Sequence, residues 1–239
     1  MKNIDSINHV SGKSIFVDDI SVNQGTLFGV VFGSPVAHGT IKELNIESAS
    51  KAKGVVRIFT YKDIPGVNQI GAIIQDEELL AESEVHFIGQ PIALIVAETE
   101  HAAIVARSLI NVEIDESYAV TTAIEAKKLE QFIMPPRTFK LGNTKTAWAK
   151  CAHVFEGTAI SGGQEHLYLE TQGSYATPQE NGNIKIFSST QGLTAVQKIG
   201  AGVLDIPMHK IEVDVTRLGG AFGGKEDQAT PWALLAALG

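Results

Sequence analysis

Two glycine-led stretches carry the residue types from which a ligand site could be built. Residues Leu218–Glu226 read Leu-Gly-Gly-Ala-Phe-Gly-Gly-Lys-Glu. Gly219, Gly220, Gly223 and Gly224 let a backbone turn sharply and approach a bound group closely. The apolar run Asp227–Leu238 predicts a helix just beyond, whose unpaired N–H groups would add positive potential. Together these suit an anionic or oxo-bearing ligand. The second stretch, Gly162–His166, reads Gly-Gly-Gln-Glu-His. Gln164 offers a carbonyl acceptor and N–H donors, so it can bond an oxo group without adding charge.

Other readings of the same residues stand beside this one. Gly219, Gly224 and Lys225 match most of a phosphate-binding loop, and the strand–loop–helix context is right. The position that needs a Ser or Thr hydroxyl for magnesium holds Glu226, whose carboxylate would repel phosphate. Glycine-rich turns between strand and helix are also common purely structural devices. Gln164 is equally readable as a capping or loop residue, and Glu165 and His166 as structural partners.

The predicted elements position these stretches in two blocks. In the first, Leu27–Gly33, Thr40–Ile46, Val55–Thr60, Val85–Ile88, Ile92–Ala97 and Asn111–Asp115 read as strands. Glu47–Lys53 is a short helical stretch closed by Gly54, and Thr99 can cap a helix through Ile110. In the second, His153–Ile160, Tyr168–Thr177, Ile184–Ser189 and Lys210–Arg217 read as strands, with a hairpin at Asn181-Gly182. A helix opens at Thr190 or Thr194, runs to about Leu204, and is followed by Pro207. The expected division is a domain over 1–120, a connector over 121–146 holding Pro135-Pro136, and a second domain over 147–239. Interleaved strands and helices make the first block mixed α and β.

Composition narrows the function classes. Of the 239 residues 44% are hydrophobic and 19% charged, a globular balance with enough apolar material for a core. Its longest apolar strand, Pro91–Ala97, falls far short of the roughly 18 residues a membrane span needs, so no membrane association is expected. A net charge of −8 disfavours nucleic acid and anionic membranes. Cys151 is the single cysteine, which excludes an intrachain disulfide, an iron–sulfur cluster or a cysteine-rich zinc site within this chain. Cys151 and His153 make only two ligands, and the seven histidines otherwise look scattered. The N-terminal Met-Lys-Asn-Ile-Asp-Ser lacks the apolar stretch of a secretory signal, and a cytoplasmic location is expected.

The two glycine-led segments taken together resemble the molybdenum-binding large subunit of the xanthine dehydrogenase and aldehyde oxidase family. The resemblance rests on Gly162–Thr171, on Ser188-Ser189-Thr190-Gln191 and on Gly219–Glu226. In the first block, Val17-Asp18-Asp19, Ser34–His38, Asp63–Gly66 and Gly89-Gln90-Pro91 are similar to the family's α/β hammerhead domain. The resemblance implies an α/β hammerhead domain followed by the incomplete start of a molybdopterin-binding α+β domain. It is closest to xanthine dehydrogenase.

The family hydroxylates a carbon beside a ring nitrogen, or an aldehyde carbon, with water as the oxygen source, using molybdenum held by a pterin. By resemblance, Gln164 would bond an oxygen ligand of the metal. Phe222 would line the molybdenum site, with the Phe222–Gly223 main-chain N–H groups near the oxo ligand. Glu226 would hydrogen-bond a purine, xanthine or hypoxanthine, since a buried carboxylate discriminates a hydrogen-bonding heterocycle from an apolar aldehyde. The family's general base, a glutamate, is expected outside this chain, so no residue here is assigned as catalytic. The remainder of the large subunit is the expected partner, together with iron–sulfur and FAD modules on other chains or domains. Inactivity of the isolated chain follows. An aldehyde oxidase-type fragment and a non-catalytic assembly or binding module are the alternatives.

Overall fold

Residues Pro91–Ala97, Pro-Ile-Ala-Leu-Ile-Val-Ala, form the strand around which the chain folds, and all but the proline are buried. An unbroken apolar run of that length suits a strand covered on both faces. The alternation of side chains divides most of it between two cores, while Ile92 joins a third with Ala81 and Val85. Ala93, Ile95 and Ala97 pack with Ala49, Ile58, Ala103, Ala106 and Ile110, whereas Leu94 and Val96 join Leu79, Leu80, Ile186, Val196 and Leu234.

The computed structural model describes residues 5–239; residues 1–4, the start of the first expected domain, lie outside the described residues. In chain order the strands are β1 Phe28–Gly33, β2 Gly39–Asn45, β3 Val55–Phe59, β4 Glu84–Val85, β5 Pro91–Ala97, β6 Asn111–Glu116, β7 Ser174–Gln179, β8 Asn183–Ser188 and β9 Ile211–Asp214. The helices are α1 Ser6–Val10, α2 Glu47–Ser50, α3 Glu100–Arg107, α4 Ala123–Lys128, α5 Thr144–Trp148, α6 Leu193–Val203 and α7 Thr230–Leu238. The strands make three three-stranded sheets, in the orders β1-β5-β3, β4-β2-β6 and β7-β8-β9. The first two are antiparallel. In the third, β7 and β8 pair antiparallel and β8 and β9 parallel. Parallel strands require a crossover, and α6 supplies it.

Several local signals act as their chemistry requires. The Thr99 hydroxyl accepts the Ala102 N–H at 3.1 Å and caps α3. Gly54, after α2, has φ +83°. Asn181 and Gly182 take φ 61° and 70° in the β7–β8 hairpin, the left-handed region these two residue types tolerate. Thr60 and Asp63 form a reciprocal cap, in which the Asp63 carboxylate accepts the Thr60 N–H at 2.8 Å.

Other expected elements are shorter or absent. The strand expected over Val85–Ile88 is reduced to Glu84–Val85, and that over Lys210–Arg217 to Ile211–Asp214. The strand expected over Tyr168–Thr177 begins only at Ser174, because Glu170 is bonded to the glycine loop. His153–Ile160 forms no strand and pairs with no strand among the described residues. Alternating apolar residues stay a strand only where a ladder partner satisfies their backbone.

The chain divides into two compact units. One comprises the residues up to Tyr118 together with His166–Gly239, and the other is Ala119–Glu165. The smaller unit contains α4 and α5, capped by Thr122 and Asn143. No described helix is long and apolar enough to cross a membrane.

Candidate functional site

The loop after β9 is held from beneath by a buried ion pair. The Lys225 ammonium is fully buried and lies 3.0 Å from Glu170 Oε2, whose side chain is 10% exposed. The same carboxylate oxygen accepts the Gly219 N–H at 2.8 Å, and the Glu170 N–H donates to the Gly219 carbonyl at 3.2 Å. Glu170 Oε1 accepts the Val17 N–H at 3.5 Å. One side chain therefore ties the start of the loop to its end. Lys225 Nζ also sits 4.7 Å from the centre of the Tyr168 ring, a cation–π distance.

Gln191, between β8 and α6, holds the loop from its other side. Its Oε1 accepts the Gly223 N–H at 3.1 Å and the Lys225 N–H at 3.4 Å, and its own N–H donates to the Lys225 carbonyl at 2.8 Å. The Thr190 hydroxyl donates to that carbonyl at 3.3 Å. Gln172 Nε2 donates to the Gly224 carbonyl at 3.1 Å and to the Tyr168 hydroxyl at 2.9 Å. The Gln172 carbonyl oxygen is buried with no protein partner among the described residues.

These ties force a tight corner. The Gly224 N–H donates to the Ala221 carbonyl at 2.7 Å, and Phe222 and Gly223 between them have φ 52° and 92°. Positive φ at both central positions is the geometry of a primed turn, which a glycine accepts and a phenylalanine resists. Gly219 and Gly224 are needed for a different reason. A Cβ on Gly219 would lie 2.4 Å from the Glu170 Cβ, and one on Gly224 would lie 2.8 Å from Tyr168 Cε1 and 2.9 Å from His166 Cγ. A Cβ on Gly223 would meet open space. The corner projects outward, and Phe222 is 76% exposed.

This geometry counts against the phosphate-loop reading. A phosphate loop needs its lysine at the phosphates, and Lys225 points the opposite way into Glu170. Helix α7 starts only at Thr230, so its N-terminal N–H groups are not the next residues after the glycines. What remains at the surface is an uncharged corner made of an aromatic ring and main chain. The N–H of Gly223, expected to face an oxo ligand, instead donates to Gln191.

Glu226 differs from expectation as well. It is exposed rather than buried, because Lys225 takes the inward slot and the next residue turns outward. Its N–H donates to the Gly223 carbonyl at 3.4 Å. Near the end of the loop, burial pushes the Glu77 carboxyl above its ordinary range, and the charges of Asp76 and Asp227 add to that rise.

Phe222, Gly223 and Glu226 thus share one loop of the larger unit, while Gln164 belongs to the Ala119–Glu165 unit and is exposed. Cys151 is exposed and belongs to no group of three or more metal-ligating side chains among the described residues. A hollow of about 960 Å³ in the larger unit lies beside β1, β7 and α7 and is not lined by Phe222, Gly223 or Glu226. Its lining mixes the apolar Leu94, Val96 and Leu235 with the polar Asp18, Gln172 and Tyr175. Sequence reasoning missed Glu170, Gln191 and Gln172 as supports of the loop. All three lay inside or next to the segments singled out, yet nothing local marks a carboxylate as the partner of a lysine far along the chain.

Comparison with known proteins gives two family models. Residues 11–117 match the aldehyde oxidase and xanthine dehydrogenase a/b hammerhead domain, and residues 125–239 match the molybdopterin cofactor-binding domain. Among curated relatives, xanthine dehydrogenase of Dictyostelium discoideum is 37% identical over 96% of this chain and 17% of its own length. Aldehyde oxidase 2 of Cavia porcellus is 33% identical over 99% of this chain and 18% of its own. The chain thus spans about a sixth of the length of these relatives. Among solved structures, aldehyde oxidoreductase from Desulfovibrio gigas superposes with a TM-score of 0.87 at 23% identity, over 98% of this chain and 28% of that one. Quinoline 2-oxidoreductase from Pseudomonas putida 86 gives 0.83 at 25% identity, over 99% and 33%. The first of these likenesses shows the fold, and the family models name its parts: a hammerhead domain and the start of a molybdopterin-binding domain.

Proposed function

The chain belongs to the aldehyde oxidase and xanthine dehydrogenase family, and we propose that it is the N-terminal portion of the molybdenum-binding subunit of a purine hydroxylase. It works only when joined by the rest of that subunit and by iron–sulfur and FAD partners. When bound, the molybdopterin cofactor supplies the two-electron oxidation of the substrate carbon, with water as the oxygen source. The protein's part is to bind, orient and polarise.

The observation that carries this reading is the uncharged corner at Phe222–Gly223, fixed by Lys225, Glu170 and Gln191 and offered to the surface. The cofactor fits it on two counts. The corner presents no cation, so a ligand is held by neutral contacts and close approach, and the open space at the Gly223 Cα leaves room for that approach. Phe222 lines the metal's surroundings with an apolar ring. Gln164 adds an amide donor for an oxygen of the metal's ligand set. Glu226, exposed one residue after the buried lysine, is available to accept an N–H from a purine. Once desolvated by bound substrate, an unpaired carboxylate there would be costly, so substrates that lack the N–H are disfavoured.

The test is turnover with this chain produced together with the rest of the subunit and its redox partners. Xanthine oxidation is expected, and Glu226→Ala is expected to lower kcat/KM for xanthine by about a hundredfold or more while affecting aldehydes much less. Gln164→Ala is expected to lower activity on both. Wild-type turnover of aldehydes but not purines would favour the aldehyde oxidase-type reading. Unchanged xanthine turnover in Glu226→Ala would overturn the role given to that residue. Stoichiometric molybdenum and xanthine oxidation by the chain alone would overturn its dependence on the remainder. No activity in any combination would leave an assembly or binding module.

A further inference from the structure

The hammerhead part of the chain brings three metal-ligating side chains together away from the glycine loop. Donor atoms of His38, Glu84 and His86 all lie within 4.8 Å of one another. The cause is strand register. Gly39 of β2 pairs with Val85 of β4, and Thr40 with Glu84, so the antiparallel ladder continued one step sets His38 opposite His86. Glu84 and His86 are two residues apart, and side chains two apart on a strand share a face. The three ligands therefore stand on one face of a strand pair, and the imidazole rings stack with centroids 5.7 Å apart.

The surroundings prepare these residues to bind a cation. The backbone of His38 is anchored by the Ser117 N–H, which donates to its carbonyl at 3.0 Å. The backbone N–H of His86 donates to Oε1 of the buried Gln90 at 2.6 Å. Nδ1 of His38 lies 3.4 Å from the Tyr118 carbonyl oxygen. A carbonyl only accepts, so in the tautomer that makes this contact Nδ1 carries the proton and Nε2 the lone pair. That is the arrangement by which a second partner fixes the tautomer of a metal-binding histidine. Beside the cluster is a polar hollow of about 180 Å³ whose lining includes Asp76, Glu78, Glu84 and His86. Its acidic wall favours a positive ion over an anion.

We propose that His38, Glu84 and His86 form a site for one divalent transition-metal cation of the zinc class, with the fourth position open to water. Two imidazoles and one carboxylate are a borderline ligand set that suits zinc rather than magnesium or calcium, which prefer oxygen. Tetrahedral zinc, with bonds of about 2.0–2.1 Å, needs ligand atoms about 3.4 Å apart. Glu84 and His86 are exposed, so closing to that spacing needs only side-chain rotation. The site is independent of the cofactor reading, because it shares no residue with the glycine loop.

The experiment titrates the full chain, stripped with chelator, with Zn²⁺ in competition with a chromogenic indicator, and separately with Co²⁺ followed by visible absorption. One equivalent of Zn²⁺ is expected. His38→Ala and His86→Ala should each weaken it by more than the roughly tenfold that loss of an outer partner costs. Glu84→Gln, which keeps the shape and removes the charge, should weaken it too, with an unchanged far-ultraviolet circular dichroism spectrum showing that the fold persists. Co²⁺ should give visible bands with no thiolate charge-transfer band. The proposal is overturned by the absence of a one-equivalent site, by folded histidine variants that bind within twofold of the wild type, or by a thiolate band, which would place the metal at Cys151.

Discussion

Removing the Lys225 ammonium tests the reasoning about the loop most directly. Lys225→Met keeps an unbranched apolar chain in the buried slot and deletes the charge, together with its contact to the Tyr168 ring. Deleting one partner of a buried pair costs about 3–5 kcal/mol, because the other charge stays behind unpaired. Here Glu170 keeps the Gly219 N–H at 2.8 Å and has 10% of its side chain in water. The loss should therefore sit at the lower end, about 3 kcal/mol, or roughly a hundredfold in the folding equilibrium. Glu170→Gln should cost a similar amount, since it strands a fully buried ammonium opposite a neutral amide. The double variant should be less destabilised than the sum of the singles, with a coupling of about 1–3 kcal/mol. Urea unfolding monitored by circular dichroism, on the wild type, both singles and the double, measures all of these. A Lys225→Met variant within about 1 kcal/mol of wild type, or a coupling near zero, would refute the claim that this pair holds the loop.

Two glycines of the loop should respond differently to alanine. Gly219→Ala places a Cβ 2.4 Å from the Glu170 Cβ, so overpacking should cost about 1–3 kcal/mol in urea unfolding and loosen the ion pair. Gly223→Ala meets no neighbour but sits at φ +92°, so backbone strain alone should cost about 1 kcal/mol with the ion pair intact. Asp63 provides a pH test. Burial tends to raise its pKa, but the N–H and hydroxyl of Thr60 and the Arg57 guanidinium outweigh that and hold it below the ordinary value. A depressed folded-state pKa means that the unfolded state takes up protons first. Its stabilisation is thus complete above the ordinary Asp value, near 3.9, and fades as pH falls through the lower folded-state value. Asp63→Asn should destabilise the protein by about 1 kcal/mol at pH 7, and the gap from wild type should close toward pH 2. A gap that persists there would mean that the carboxylate charge is not what acts.

Much of the architecture is legible from neighbouring residues. The apolar run Ile92–Ala97, the Thr99 cap, the Asn181-Gly182 hairpin and the glycine-rich turn before α7 are written in types and spacings within a few positions of one another. The family was legible too, since the glycine-led segments keep a recognisable order, and the comparisons agree on a hammerhead part and the start of a molybdopterin-binding part. Short strands were overestimated and His153–Ile160 was misread as one, because alternation describes a strand's faces and says nothing about whether a neighbour completes its hydrogen bonds.

The direction of each polar side chain was decided only in three dimensions. Lys225 and Glu226 are adjacent, yet one is fully buried and the other exposed. The difference lies in Glu170, 55 positions away, whose carboxylate makes a buried ammonium tolerable. His38 and His86 looked scattered until the β2–β4 register set them on one face. Local propensity and capping act through bonds a turn or less apart, so the order of residues determines them. The burial of a charge and the assembly of a ligand set depend on which distant segments meet, and tertiary packing alone makes that choice.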